Sequence, residues 1–161
     1  MRAFSPLEAA ALVAVAGSLL AATVPTFVKN VHASRLVEPV DGLNRIAQRA
    51  TWLAAGHAAE HAYPETVPLT PSEVPKGVQK LDPPGTWDHP TWRRLQFAWE
   101  VEHAFSFAFE SQAHSGRANF RAVAHGDLDG DGLLSTFEVH GATQDGGEPR
   151  IAPLNIHREV E

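Results

Sequence analysis

Three hydrophobic patterns follow one another along the chain. From Ala9 to Val28 no charged residue interrupts a mostly apolar run, which Glu8 precedes and Lys29 follows. A helix of about 20 residues rises about 30 Å, the hydrocarbon thickness of a bilayer. The run therefore predicts a hydrophobic helix over 4–28, long enough to be transmembrane. From Leu36 the apolar residues Leu36, Val40, Leu43, Ala47, Ala50 and Ala54 recur at alternating four- and three-residue steps, one stripe of a helix. That stripe predicts a continuation of the helix over 29–62, with Pro25, Pro39 and Gly42 as candidate bends. Prolines then crowd residues 63–94, a connecting loop. From Leu95 the period becomes two: Leu95, Phe97, Trp99, Val101, Phe105, Phe107 and Phe109 alternate with polar neighbours, and Phe120, Ala122 and Ala124 do so again. Period two is the signature of strands with one buried face. The fold predicted is α+β, a long N-terminal hydrophobic helix packed on a small antiparallel β-sheet head of three to five strands over 95–161.

The N-terminal run opens with a phenylalanine at position 4 and an acid four residues later, Glu8. An ionisable group at the edge of an apolar helix demands a partner. Phe4, Glu8, Gly17, Ala21, Ala22 and Pro25 stand at spacings that resemble the N-terminal segment of type IV pilins and pseudopilins. The stretches VDGLNRI, PPGTWDHPTW and HGDLDGDGLLSTFE are similar to pilin-like proteins of myxobacteria and their relatives. This resemblance implies a precursor held in the inner membrane, whose leader, residues 1–3, a prepilin peptidase removes between Ala3 and Phe4 before methylating the new amine. It implies further that Glu8 pairs with the Phe4 amine of a neighbouring subunit, that Pro25 kinks the helix, and that assembly machinery builds like subunits into a helical filament outside a Gram-negative cell. The chain departs from that pattern in having Ala3 where glycine is usual, a short leader, and Pro6 in the first turn. An ordinary signal peptide, cut after Ala33, is the alternative reading of the same run.

The second motif is Asp127-Leu128-Asp129-Gly130-Asp131-Gly132-Leu133-Leu134-Ser135-Thr136-Phe137-Glu138. It fits a twelve-residue calcium loop at every constrained position. Calcium takes six to eight oxygens, so Asp127, Asp129 and Asp131 supply carboxylates, Leu133 its carbonyl, Ser135 a hydroxyl or bridging water, and Glu138 two closing oxygens. The flanks read as strand rather than helix, which makes Ca²⁺ a staple within the sheet.

Composition narrows the function. With 161 residues and a formal charge of -6, the chain offers no basic surface for nucleic acid, and no nucleic-acid binding is expected. It has no cysteine, hence no disulfide to close the head. His57-Ala58-Ala59-Glu60-His61 matches the H-x-x-E-H pattern of inverted zinc peptidases, but a head of this size has no room for a third ligand and a substrate cleft. The expected protein is therefore not an enzyme. It is a structural subunit of a type IV pilus-like filament with a calcium-stabilised head. A minor pilin or a pseudopilin of a type II secretion system is one alternative. A membrane-tethered or secreted calcium-binding protein that does not polymerise is another.

Overall fold

The computed structural model describes residues 5–157, so Ala3 and Phe4 lie outside it. Contacts divide the chain into two units, Met1–Leu36 and Val37–Glu161. Helix α1, Pro6–Ala54, runs through Pro25, Pro39 and Gly42. Two expectations need correction here. Among the described residues no helix is long and apolar enough to cross a membrane. Gly17, Ser18, Thr23, Pro25 and Thr26 interrupt the apolar run. The predicted fold, a long hydrophobic helix on a small sheet, also fails: among the described residues the sheet has six strands, and Pro39 is the first residue of the helix described as buried. In this second unit Leu43, Ile46, Ala47, Ala50 and Ala54 are buried. The helix ends at Ala54 rather than near 62, because Gly56 turns the backbone at φ +77°, a conformation that costs glycine little.

Strands β1 (Val67–Thr70), β2 (Phe105–His114), β3 (Arg117–Gly126) and β4 (Ser135–Gln144) pair antiparallel in sequence order. Two short strands, β5 (Arg150–Ile151) and β6 (Asn155–His157), share the outer edge of β4. Strands β2 and β3 meet at Ser115 and Gly116, whose φ angles are 48° and 73°. Two left-handed central residues define the turn that best matches strand twist in a two-residue hairpin. The period-two pattern overreached at its start. Pro90–Leu95 is a short helix, α2, which places Pro90 in its first turn and uses His89 Nδ1 to accept from the Thr91 amide at 3.2 Å. Gln96 then takes a left-handed conformation, so Phe97 and Trp99 approach the core from an irregular segment rather than a strand.

Alternation sends Phe105, Phe107 and Phe109 of β2, Phe120, Ala122 and Ala124 of β3, and Phe137 and Val139 of β4 to one buried face. Each of three glycines makes room for a ring: a Cβ on Gly42 would collide with Phe107, one on Gly126 with Phe105, and one on Gly141 with Phe120. The aromatic core is thus seated on positions where backbone approaches closely, a use of glycine beyond turn-making.

The helix is tied to the start of β2 by Glu38. Its Oε1 accepts from the Phe105 amide at 2.8 Å, and both oxygens accept from the Ala104 amide at 3.0 and 3.1 Å. Burial raises the Glu38 carboxyl above its ordinary 4.5, against the lowering effect of these amides and of His103. A carboxylate held above its unfolded value costs stability as the pH rises through the folded value, and the molecule gains as pH falls toward 4.5. We expect Glu38→Gln to abolish this part of the pH dependence of unfolding between 4.5 and neutrality, read by denaturant melts at several pH values. An unaltered profile would contradict the assignment.

Candidate metal centre

The loop after β3 folds around its own aspartates. Buried Asp127 accepts from the Gly130 amide through Oδ1 at 2.8 Å and from the Gly132 amide through Oδ2 at 3.2 Å. Asp129 Oδ1 accepts from the Asp131 amide at 3.2 Å, and Asp131 Oδ1 from the Leu133 amide at 2.7 Å. Gly130 and Gly132 supply φ angles of 80° and 90°, which lets alternate side chains turn inward within so few residues. The Asp127 carbonyl accepts from the Gly77 amide at 2.8 Å, so the proline-rich connection braces the loop from outside.

One carboxylate oxygen from each of Asp127, Asp129 and Asp131 lies within 4.8 Å of the others. Oxygens bound to one calcium at 2.3–2.6 Å stand no more than about 5 Å apart, so the three fit a common ion. An all-carboxylate donor set suits a hard cation. Leu133 is exposed, and Ser135 is buried where it opens β4 opposite Gly126. Glu138 is placed elsewhere: it does not join the three aspartates, and its carboxylate meets Arg121 on β3, with Nη2 at 2.8 Å and Nε at 2.9 Å from Oε2. The strand pairing that starts at Ser135 explains this, because once β4 is in register with β3 the Glu138 side chain faces its cross-strand neighbours rather than the loop. Partial burial pushes the Glu138 carboxyl up, but hydrogen bonds and charge from Arg121 and His140 hold it at about 2.

At the other candidate site, Glu8 has an intramolecular role. The Ser5 amide donates to Glu8 Oε2 at 2.8 Å and the Glu8 amide donates to Ser5 Oγ at 3.3 Å. This is a reciprocal capping box, with Pro6 at the first helical position. The amide of Ser5, followed by its hydroxyl, lowers the Glu8 carboxyl below 4.5. The S-x-x-E signal stood in the sequence beside the Phe4 spacing. Pro25 lies within α1, with its side chain outside the described set. His57 and His61 are not a turn apart on a regular helix, since His57 follows the end of α1 and His61 closes a 3₁₀ turn, Ala59–His61.

Sequence reasoning missed the company Glu138 keeps. His140 Nε2 and His157 Nε2 each stand 3.4 Å from its Oε1. The first pairing was legible, because residues two apart on a strand share a face. The second depends on β6 returning to β4. No family model, curated protein or solved structure matches the chain.

Proposed function

We propose that this chain is a structural subunit that assembles with copies of itself into a type IV pilus-like filament through its N-terminal helical unit, with a calcium-binding head. The observation that carries this reading is the exposure of Leu7, Leu12, Val13, Val15, Leu19 and Leu20, each between 56% and 81%. At about 100° per residue these six side chains spread over roughly 240° of the helix. A helix that is apolar on most of its circumference is normally buried. One groove covers one stripe, whereas a bundle of like helices covers several sides at once. Isolated exposed leucines need no explanation, but a contiguous apolar surface of this kind marks an interaction site.

The head contributes the cation. Extracellular calcium modules bind with Kd of about 10⁻⁴–10⁻³ M, so 10 mM Ca²⁺ stabilises the folded head by about 1.4–2.7 kcal/mol. The expected result is a rise in Tm with Ca²⁺ that Asp127→Asn removes.

Sedimentation and electron microscopy of the full chain test assembly. Wild type is expected to form filaments, and Leu12→Glu/Val13→Glu/Leu20→Glu to remain monomeric with an unchanged head melt. Monomeric wild type at high concentration would sink the filament reading. A calcium-dependent Tm would then favour the non-polymerising calcium-binding protein, for which the three converging aspartates are the supporting observation.

A further inference from the structure

We propose a second metal site, for a borderline transition ion such as Zn²⁺, formed by Glu138, His140 and His157 on the sheet face away from the aromatic core. A tetrahedral zinc site with bonds of about 2.0–2.1 Å has edges between ligand atoms of about 3.3–3.4 Å. Glu138 Oε1 already lies 3.4 Å from the Nε2 atoms of both His140 and His157, so two of the three edges have the required length. Closing the third requires the two imidazoles to turn toward one another, and their side chains are 47% and 62% exposed, against 12% for Glu138. An aqueous ion reaches them directly.

The surroundings orient the carboxylate. Arg121 occupies Oε2 and is itself held by Glu110, 3.5 Å from its Nη1, leaving Oε1 to act as a single-oxygen ligand. Groups that fix a metal-binding carboxylate in this way tune a site from behind. Asn155, paired with Glu138 across β4 and β6, puts its Nδ2 3.4 Å from Oε1 and 3.0 Å from His157 Nε2. A donor therefore stands where the lone pairs of two candidate ligands converge, and a cation is the stronger claimant for that position. Two imidazoles and one carboxylate suit zinc, nickel or copper and not calcium, whose ligands are oxygen. A water completes the fourth position. The positive charge of Arg121 opposes a second cation, which sets this site below a tight structural zinc centre.

The test is calorimetric titration of the full chain with ZnCl₂ at pH 7.5 in millimolar CaCl₂, so that the aspartate loop is offered its preferred ion. Wild type is expected to take up one Zn²⁺. His140→Ala and His157→Ala are each expected to weaken Kd by at least about tenfold, with unchanged thermal melts in the absence of zinc. His57→Ala/His61→Ala is the control and is expected to match wild type. No saturable uptake, uptake indifferent to both single variants, or uptake lost with the His57/His61 pair would overturn the proposal. None of these results depends on whether the chain forms filaments.

Discussion

Asp82→Ala is expected to destabilise the head by about 3–5 kcal/mol, the cost of breaking a buried hydrogen-bonded pair from one side. The Asp82 side chain is 8% exposed, and its Oδ2 receives both the Trp87 indole N–H at 2.8 Å and His103 Nε2 at 2.9 Å. His103 is wholly buried, with Nδ1 donating to the Phe105 carbonyl at 2.7 Å, so a carboxylate is all that satisfies its far side. Removing Asp82 strands the buried His103 nitrogen and the part-buried Trp87 indole N–H at once. The consequence reaches beyond one contact, because His103 and Lys80 exchange backbone hydrogen bonds at 2.9 and 3.0 Å, and Trp87 packs edge-on against Trp92 and Phe97. The carboxylate thus fixes a long connection that has little regular structure of its own. At roughly 3–4 °C per kcal/mol for a domain of this size, Tm should fall by about 10–20 °C. A fall of only a few degrees would show that water replaces the carboxylate and that the connection is held by its aromatics alone.

Gly42→Ala should also destabilise, although glycine to alanine within a helix ordinarily gains about 1 kcal/mol. The added Cβ would meet the Phe107 ring, 2.6 Å from Cζ, and Trp99 Cζ3 at 3.2 Å. Phe107 cannot retreat: it is fully buried, stacked on Trp99 with centroids 5.6 Å apart and in edge contact with Phe97 at 5.2 Å. Overpacking of this kind costs about 1–3 kcal/mol. Phe107→Ala, which leaves a cavity instead, should cost about 3–5 kcal/mol. Combining Gly42→Ala with Phe107→Leu removes the colliding Cζ, and the double variant should be more stable than the sum of the single effects allows. Additive effects, or a stabilising Gly42→Ala, would show that the helix and β2 shift apart at little cost.

These two predictions rest on contacts that hydrophobic patterning foreshadows to different degrees. The phenylalanines at 105, 107 and 109 were legible as one strand face, since alternation alone determines which side chains share a side. The same alternation misled at 95–103. There Pro90 starts a helix and Gln96 ends it in a left-handed turn, so local backbone chemistry prevailed over periodicity. At the N-terminus, Glu8 drew attention as a charge in search of a partner, and the nearest answer was Ser5, three residues away.

The amino-acid sequence by itself determined the inner face of the sheet, the helical stripe from Leu43 to Ala54, and the convergence of Asp127, Asp129 and Asp131. All of these depend on periods and turns that act over a few residues, where the backbone leaves little choice. Only the tertiary structure decided where Glu138 points, that His157 joins it from β6, that Asp82 reaches His103, and that Gly42 must be small because Phe107 lies against it. Each of those outcomes joins residues distant in the chain, and a distance along the sequence carries no direction until strands have paired and the core has closed.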